Sequence, residues 1–152
     1  MTAVGEESRS DADEATRERN RATIEHVFAS LRELGDGPES EVAKYFSLEV
    51  LFESPYRKVR LIGRDQVHRA LRQVADQFTE MRHVDMVFTD GLSPDDFAWE
   101  SKAQARFRST GEEYPQQYVV FCSMKRGKIM TIRQYYNTRT YHLSNDAAPD
   151  FV

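Results

Sequence analysis

One cysteine, no long apolar run and no excess of basic residues define what this 152-residue chain does without. The lone Cys122 cannot close an intramolecular disulfide, so no covalent staple holds the fold, as expected in a reducing compartment. It lies in the apolar segment Val119-Val120-Phe121-Cys122, where a thiol packs as a small hydrophobe rather than serving as a nucleophile. No stretch is apolar for long enough to cross a bilayer, and the first residues lack a signal-peptide core. The expectation is a cytoplasmic protein with no membrane partner. Lys and Arg number 21 against 25 Asp and Glu, a net charge of −4 that excludes the footprint of a nucleic-acid binder. The four histidines, His26, His68, His83 and His142, form neither HxH nor HExxH, so no metal is expected, and no cofactor.

What is present suffices for one domain. A chain of this length buries roughly two-thirds of its unfolded surface, enough for a core without metal or disulfide. Residues 1–12 are rich in Glu, Asp and Ser and read as a flexible tail. The domain spans 13–142, and 143–152 form a polar C-terminal tail. Ile24, Val27, Phe28, Leu31 and Leu34 make one stripe at helical spacing, predicting a helix over 13–34 that Gly35-Asp36-Gly37-Pro38 ends. A short helix is expected over 39–46. Leu48, Val50 and Phe52 then alternate with Glu49, Leu51 and Glu53, the rhythm of a half-buried strand. Pro55 interrupts it, Val59 and Leu61 resume it, and Gly63 caps a second long helix with Val67, Leu71, Val74, Phe78 and Met81 inward.

The remainder reads as a β-meander: 83–89, 97–109, 115–124 and 128–140, with a tight turn at Arg126-Gly127. Helices early and strands late is the α+β signature. On the inner face Phe97, Trp99, Ser101, Ala103 and Ala105 align, as do Tyr118, Val120, Cys122 and Met124, and Met130, Ile132, Gln134 and Tyr136. Aromatics beside small residues leave volume that a ligand could occupy. Val120, Met124 and Ile132 are core. Tyr118, Gln134 and Tyr136 bring polar groups inward that need partners, in the core or in a ligand. Glu100 and Arg106 fall on the outer face, suited to cross-strand ion pairs, and His26 and His68 lie off their helices' apolar stripes, facing solvent.

The Val27-Phe28 pair, Tyr45-Phe46, Glu53-Ser54-Pro55, Gly63-Arg64-Asp65, and Arg126-Gly127-Lys128-Ile129 leading to Arg133-Gln134-Tyr135-Tyr136-Asn137 together resemble the nuclear transport factor 2-like superfamily. It includes ketosteroid isomerases and SnoaL-like polyketide cyclases, and the likeness to its phenazine-biosynthesis A/B proteins covers residues 20–140. The resemblance implies a cone: a curved, antiparallel or mixed sheet wrapped around three N-terminal helices, with a central apolar pocket. It also implies a homodimer through the outer sheet face. The isomerases' carboxylate base falls at Ser54 and their tyrosine donor at Phe28. The phenazine proteins' general acid falls at Gln134, their helix His and Ser at Ala70 and Val74, and only an aromatic contact, Tyr114, persists.

A serine or glutamine there cannot perform the same proton transfers. What is left is His83, Tyr118 and Tyr136 as candidate catalytic groups, with Ser54, Trp99, Tyr114 and Gln134 as candidate ligand contacts. His83 begins a strand near the expected pocket mouth and is the best acid–base candidate, a surface position being the alternative. The chemistry expected is a cofactor-independent cyclase, isomerase or dehydratase of secondary metabolism, acting on a small apolar or aromatic metabolite by positioning and hydrogen bonding. The alternative is a non-catalytic ligand-binding or dimeric accessory protein.

Overall fold

The computed structural model describes residues 10–143, with side chains as far as Thr140. Residues 1–9 and 144–152, most of the two expected tails, lie outside it. Helix α1 runs Asp11–Ala29, its N-terminus capped by the Ser10 hydroxyl accepting from the Asp13 amide. The expected single helix over 13–34 is two. A break at Ser30 separates α1 from α2 (Leu31–Asp36), and the stripe from Ile24 to Leu34 continues across it. After α3 (Glu39–Tyr45) come β1 (Phe46–Ser54), a 3-10 turn at Pro55–Arg57 and β2 (Val59–Ile62). Gly63 at φ 89° then caps α4 (Arg64–Gln77). Strands β3 (Phe78–Asp90), β4 (Asp96–Phe107), β5 (Gln117–Lys125) and β6 (Lys128–Tyr136) complete the sheet, and α5 (Thr138–Leu143) follows.

The expected α4 stripe extended to Met81, but the chain turns from helix to strand at Phe78. Phe78 and Met81 are still buried, now from β3. The Arg108 guanidinium donates to the carbonyls of Ala75, Asp76 and Phe78, closing the helix end where the strand starts. The last strand ends at Tyr136 rather than Thr140. Arg126 and Gly127, at φ 51° and 75°, form the hairpin between β5 and β6 that their sequence predicted.

The six strands lie in the order β2-β1-β6-β5-β4-β3, antiparallel except for the parallel pair β1 and β6. The sheet is curved and open, with α1, α2 and α4 packed on its inner side. The core is continuous from Ile24, Val27 and Phe28, through Val67, Leu71 and Val74, to Val120 and Ile132. Two expected inward residues miss. Register shifts within β1 turn Leu48 to solvent while Phe46, Val50 and Phe52 are buried. A second irregularity near Met124 buries Ile129 and leaves Met130 half-covered. Arg106 does form its outer-face ion pair, with Glu113 at 3.2 Å. No helix among the described residues is long and apolar enough to cross a membrane.

Gly35, read from the sequence as a helix stop, lies within α2 against α4. A Cβ there would stand 2.2 Å from the Leu71 carbonyl oxygen and 3.1 Å from Ala75 Cβ. Gly35→Ala is expected to force the two helices apart and cost about 2–4 kcal/mol in urea denaturation, despite alanine's better helix propensity.

Candidate functional site

Strand register assembles the site. Trp99 pairs with Val120 and Val120 with Gln134, and the pairing of Glu53 with Arg133 sets Ser54 beside Gln134. One inner row therefore reads Ser54, Gln134, Val120, Trp99 across four strands. The adjacent row reads Tyr136, Tyr118, Ser101. His83 joins it from β3, its Nδ1 2.7 Å from Ser101 Oγ and its ring stacked on Tyr118 at 4.3 Å. From the helices Phe28 meets both rows edge-on, 4.9 Å from the rings of His83 and of Trp99. Tyr136 touches Tyr118 and Tyr56 edge-to-face, at 6.5 and 5.7 Å.

Six of the seven candidate residues thus meet on one patch. Tyr114 belongs mainly to a neighbouring stack with Phe78 and Phe107, and its hydroxyl accepts from Gln116 Nε2 at 3.1 Å. One member of the patch, Ser101, and one neighbour of Tyr114, Gln116, were not singled out from the sequence. Ser101 was placed on the inner face by alternation, but nothing in its own segment shows that a histidine 18 residues away needs it. Gln116 precedes β5 outside any strand period, and it is buried with Nε2 donating to Tyr114 OH and the Asn137 carbonyl.

The patch is rich in unmet hydrogen-bonding capacity. Ser54 Oγ, Trp99 Nε1, Tyr118 OH and Gln134 Nε2 have no protein partner, and none of these residues is more than 2% exposed. Each such group costs about 1–3 kcal/mol when left unsatisfied. Four around Val120 is a concentration that native cores avoid unless something else supplies the partners.

Its electrostatics are neutral. Burial pushes the His83 imidazole down to about 3, so it is uncharged near pH 7. The surface position read as the alternative therefore needs correction, and any acid–base role of His83 starts from its neutral form. His83 is enclosed rather than at the surface, 4% exposed. Burial, with Tyr114 and Tyr136 nearby, holds the Tyr118 phenol well above its ordinary range, leaving it a fixed hydroxyl. Burial, then Asp96, raises the Cys122 thiol strongly, which makes it a spectator. His68, expected in solvent, is buried with Nε2 3.2 Å from the Gly37 carbonyl oxygen, whereas His26 is exposed and bonded to Tyr45 OH at 2.9 Å. No group of three or more His, Cys, Asp or Glu able to hold a metal occurs among the described residues.

Two cavities, of about 590 and 510 Å³, open on the sheet and contain no helix residue in their walls. The first lies over Val87, Glu100, Val119 and Tyr135 and reaches the ends of the second row at Ser101, Tyr118 and Tyr136. The second lies over Glu53, Ala98, Phe121 and Arg133.

No family model and no curated protein matches the sequence. Solved structures share the fold. A candidate isomerase from Bacillus subtilis superposes with a TM-score of 0.73 at 16% identity, over 88% of this chain and 96% of that one. A phenazine biosynthesis-related protein from Pseudomonas aeruginosa gives 0.67 at 13%, over 86% and 87%. A nuclear transport factor 2-like protein of unknown function from Burkholderia pseudomallei gives 0.64 at 16%, over 82% and 94%. At these identities the likeness is one of fold.

Enclosure of His83 has a measurable consequence. Its folded value near 3 lies below its ordinary 6.5, so the unfolded chain takes up a proton that the folded chain refuses. This contribution to stability is complete above pH ~6.5 and is lost as pH falls toward 3, about 2 kcal/mol of it between pH 7 and 5. His83→Asn is expected to be less stable at pH 7 and to close about 2 kcal/mol of that gap at pH 5. Urea unfolding at the two pH values reads the difference; parallel losses in both proteins would mean that His83 is already solvated.

Proposed function

We propose that this chain, whose fold is that of the nuclear transport factor 2-like superfamily, holds a small uncharged molecule against the inner face of its sheet. One observation carries the reading: the four buried polar atoms around Val120 have no protein partner. A bound molecule offering hydrogen-bonding atoms there converts an unfavourable set of desolvated groups into binding energy. Ser54, Gln134, Trp99 and Tyr118 are the direct contacts, and Tyr136 and His83 shape the wall.

A catalytic version of this reading is a cofactor-independent isomerase, cyclase or dehydratase of secondary metabolism. It draws support from the His83–Ser101 pair stacked on Tyr118, and from the names of the Bacillus subtilis and Pseudomonas aeruginosa neighbours. Neutral groups of this kind polarise a carbonyl by hydrogen bonding. Their weakness is proton transfer, since His83 is a poor base and Gln134 carries no acidic proton. Binding is therefore the better-supported half of the reading.

The proposal includes a homodimer through the outer sheet face. Val87, Val119, Phe121 and Tyr135 are all more than a third exposed and lie close together there, Val119 opposite Tyr135 and Phe121 in edge contact with Tyr135.

Native mass spectrometry of the purified full chain tests the first part. A stoichiometric small molecule, released unchanged, is the expected result, and turnover on incubation favours the catalytic version. Tyr118→Phe combined with Gln134→Leu is expected to weaken retention at least about tenfold, the equivalent of one lost hydrogen bond. Retention unaffected by both substitutions places the molecule elsewhere. For the dimer, light scattering is expected to give twice the chain mass, and Phe121→Lys to give a folded monomer. A wild-type monomer at tens of micromolar rules the interface out.

A further inference from the structure

The hold of α1 on the rest of the molecule is divided unevenly along its length. Among its buried residues only Ile24, Val27 and Phe28 are apolar, and all three lie in its last two turns. The stretch from Asp11 to Arg21 is held by polar side chains instead. Arg17, Asn20 and Arg21, spaced i, i+3 and i+4, share one face and reach the same loop between β3 and β4. The Arg17 guanidinium donates to the carbonyls of Gly91, Ser93 and Leu92 at 3.2, 3.3 and 3.4 Å. Asn20 Nδ2 donates to the Pro94 carbonyl at 3.1 Å and to Asp95 Oδ1 at 3.0 Å, and Arg21 pairs with Asp90 at 2.7 Å.

The supports at either end of α1 are fixed without it. The Asp95 carbonyl accepts from the Met124 amide of β5, and the Gly91 amide donates to the Asp96 carbonyl, so the loop is tied to the sheet. At the other end α2 is seated closely on α4 at Gly35, and Arg32 donates to the Phe78 carbonyl. Between α1 and α2 stands Ser30, whose φ of −126° and ψ of 21° leave the helical region. Arg17 lies about 20 Å along the helix from that break at 1.5 Å per residue, so the polar contacts act at the far end of a lever. Near the break His26 is bonded to Tyr45 OH of α3, in an exposed contact. Phe28, two residues before the break, lies edge-on against Trp99 and His83. Trp99 is 1% exposed beneath it, and its Nε1 has no protein partner.

We propose that α1 is a releasable cover, latched by Arg17, Asn20 and Arg21 to residues 90–95 and pivoting at Ser30. Its release lifts Phe28 from Trp99 and His83 while α2, α4 and the sheet stay folded. Hydrogen bonds of the latch kind exchange for bonds to water at small net cost, so three apolar side chains carry most of the closure. In the closed form Phe28 occupies the place over Trp99 that a bound molecule would take, and entry to the inner face requires the open one. The use of the cover rests on the inner-face binding proposed above; its existence does not.

Trp99 is the single tryptophan, so its indole N–H is one assigned signal in the ¹⁵N-labelled full chain. Hydrogen exchange at that signal reports the uncovering of Trp99, and the slowest β5 amides report global unfolding. After correction for intrinsic rates, the indole is expected to exchange at least about tenfold faster than those amides. Its rate is also expected to be nearly flat in low urea, since release of one helix exposes little surface, whereas the β5 rates climb steeply. Arg17→Gln with Asn20→Ala is expected to speed indole exchange about tenfold more than β5 exchange. Arg21→Gln, at the more exposed end of the latch, gives the same reading more weakly if that variant does not fold. An indole that follows the β5 amides in rate and urea dependence overturns the cover, as does an equal shift of both in a folded latch variant. Native mass spectrometry of the same chain separates the two readings. A chain that opens yet retains no molecule keeps the cover and loses inner-face binding; one that retains a molecule without opening loses the cover alone.

Discussion

The parallel pairing of β1 with β6 is the contact on which the rest of the architecture depends. β1 follows directly from the helical segment, and β6 is the last strand of the meander. Their pairing joins the N-terminal half of the chain to the C-terminal half and turns an antiparallel meander into a mixed sheet. It also sets one row of the inner face. Without it, Ser54 would have no fixed relation to Gln134.

Around that pairing the molecule separates two kinds of polar requirement. Structural needs are met by side chains bonded to backbone. Arg17 and Asn20 tie α1 to the loop between β3 and β4, and Arg32 and Arg108 close on the end of α4. The inner face of β1, β4, β5 and β6 is different, because neutral polar atoms sit among apolar neighbours without such partners. The contrast within one core makes the patch informative, since the terminal nitrogens of buried Arg17 and the amide of buried Asn20 find carbonyl or carboxylate acceptors where only structure is at stake.

Much of this was legible in the sequence because alternation survives curvature. The inward positions of Trp99, Ser101, Tyr118, Val120, Gln134 and Tyr136 follow from period two alone, and the Arg126-Gly127 turn holds β5 and β6 in register. The failures have local causes. Leu48 and Met130 sit at irregularities, where one residue of slip reverses a face. His68 was read outward because it lies beside its helix's apolar stripe, but the Gly37-Pro38 segment covers that flank and accepts its bond. Gly35 was read as a terminator, although its lack of a side chain serves the approach of α2 to α4. Enclosure of His83 depends on Phe28 and Ser101, distant residues that no single segment discloses. Which polar atoms lack a partner is likewise a property of the assembled rows.

The β1–β6 pairing also has a bearing on synthesis at the ribosome. Glu53 and Arg133, partners in that ladder, are separated by 80 residues, whereas β3 through β6 pair with their immediate successors. Local hairpins close cheaply and early, and a contact across such a span comes late because loop closure precedes its reward. β1 leaves the exit tunnel early and waits without its β6 partner until the final strand emerges, while α1, α2 and α4 already have β3 to pack on. The parallel ladder is thus the last part of the sheet to form, and the inner row from Ser54 to Trp99 is completed by its final strand.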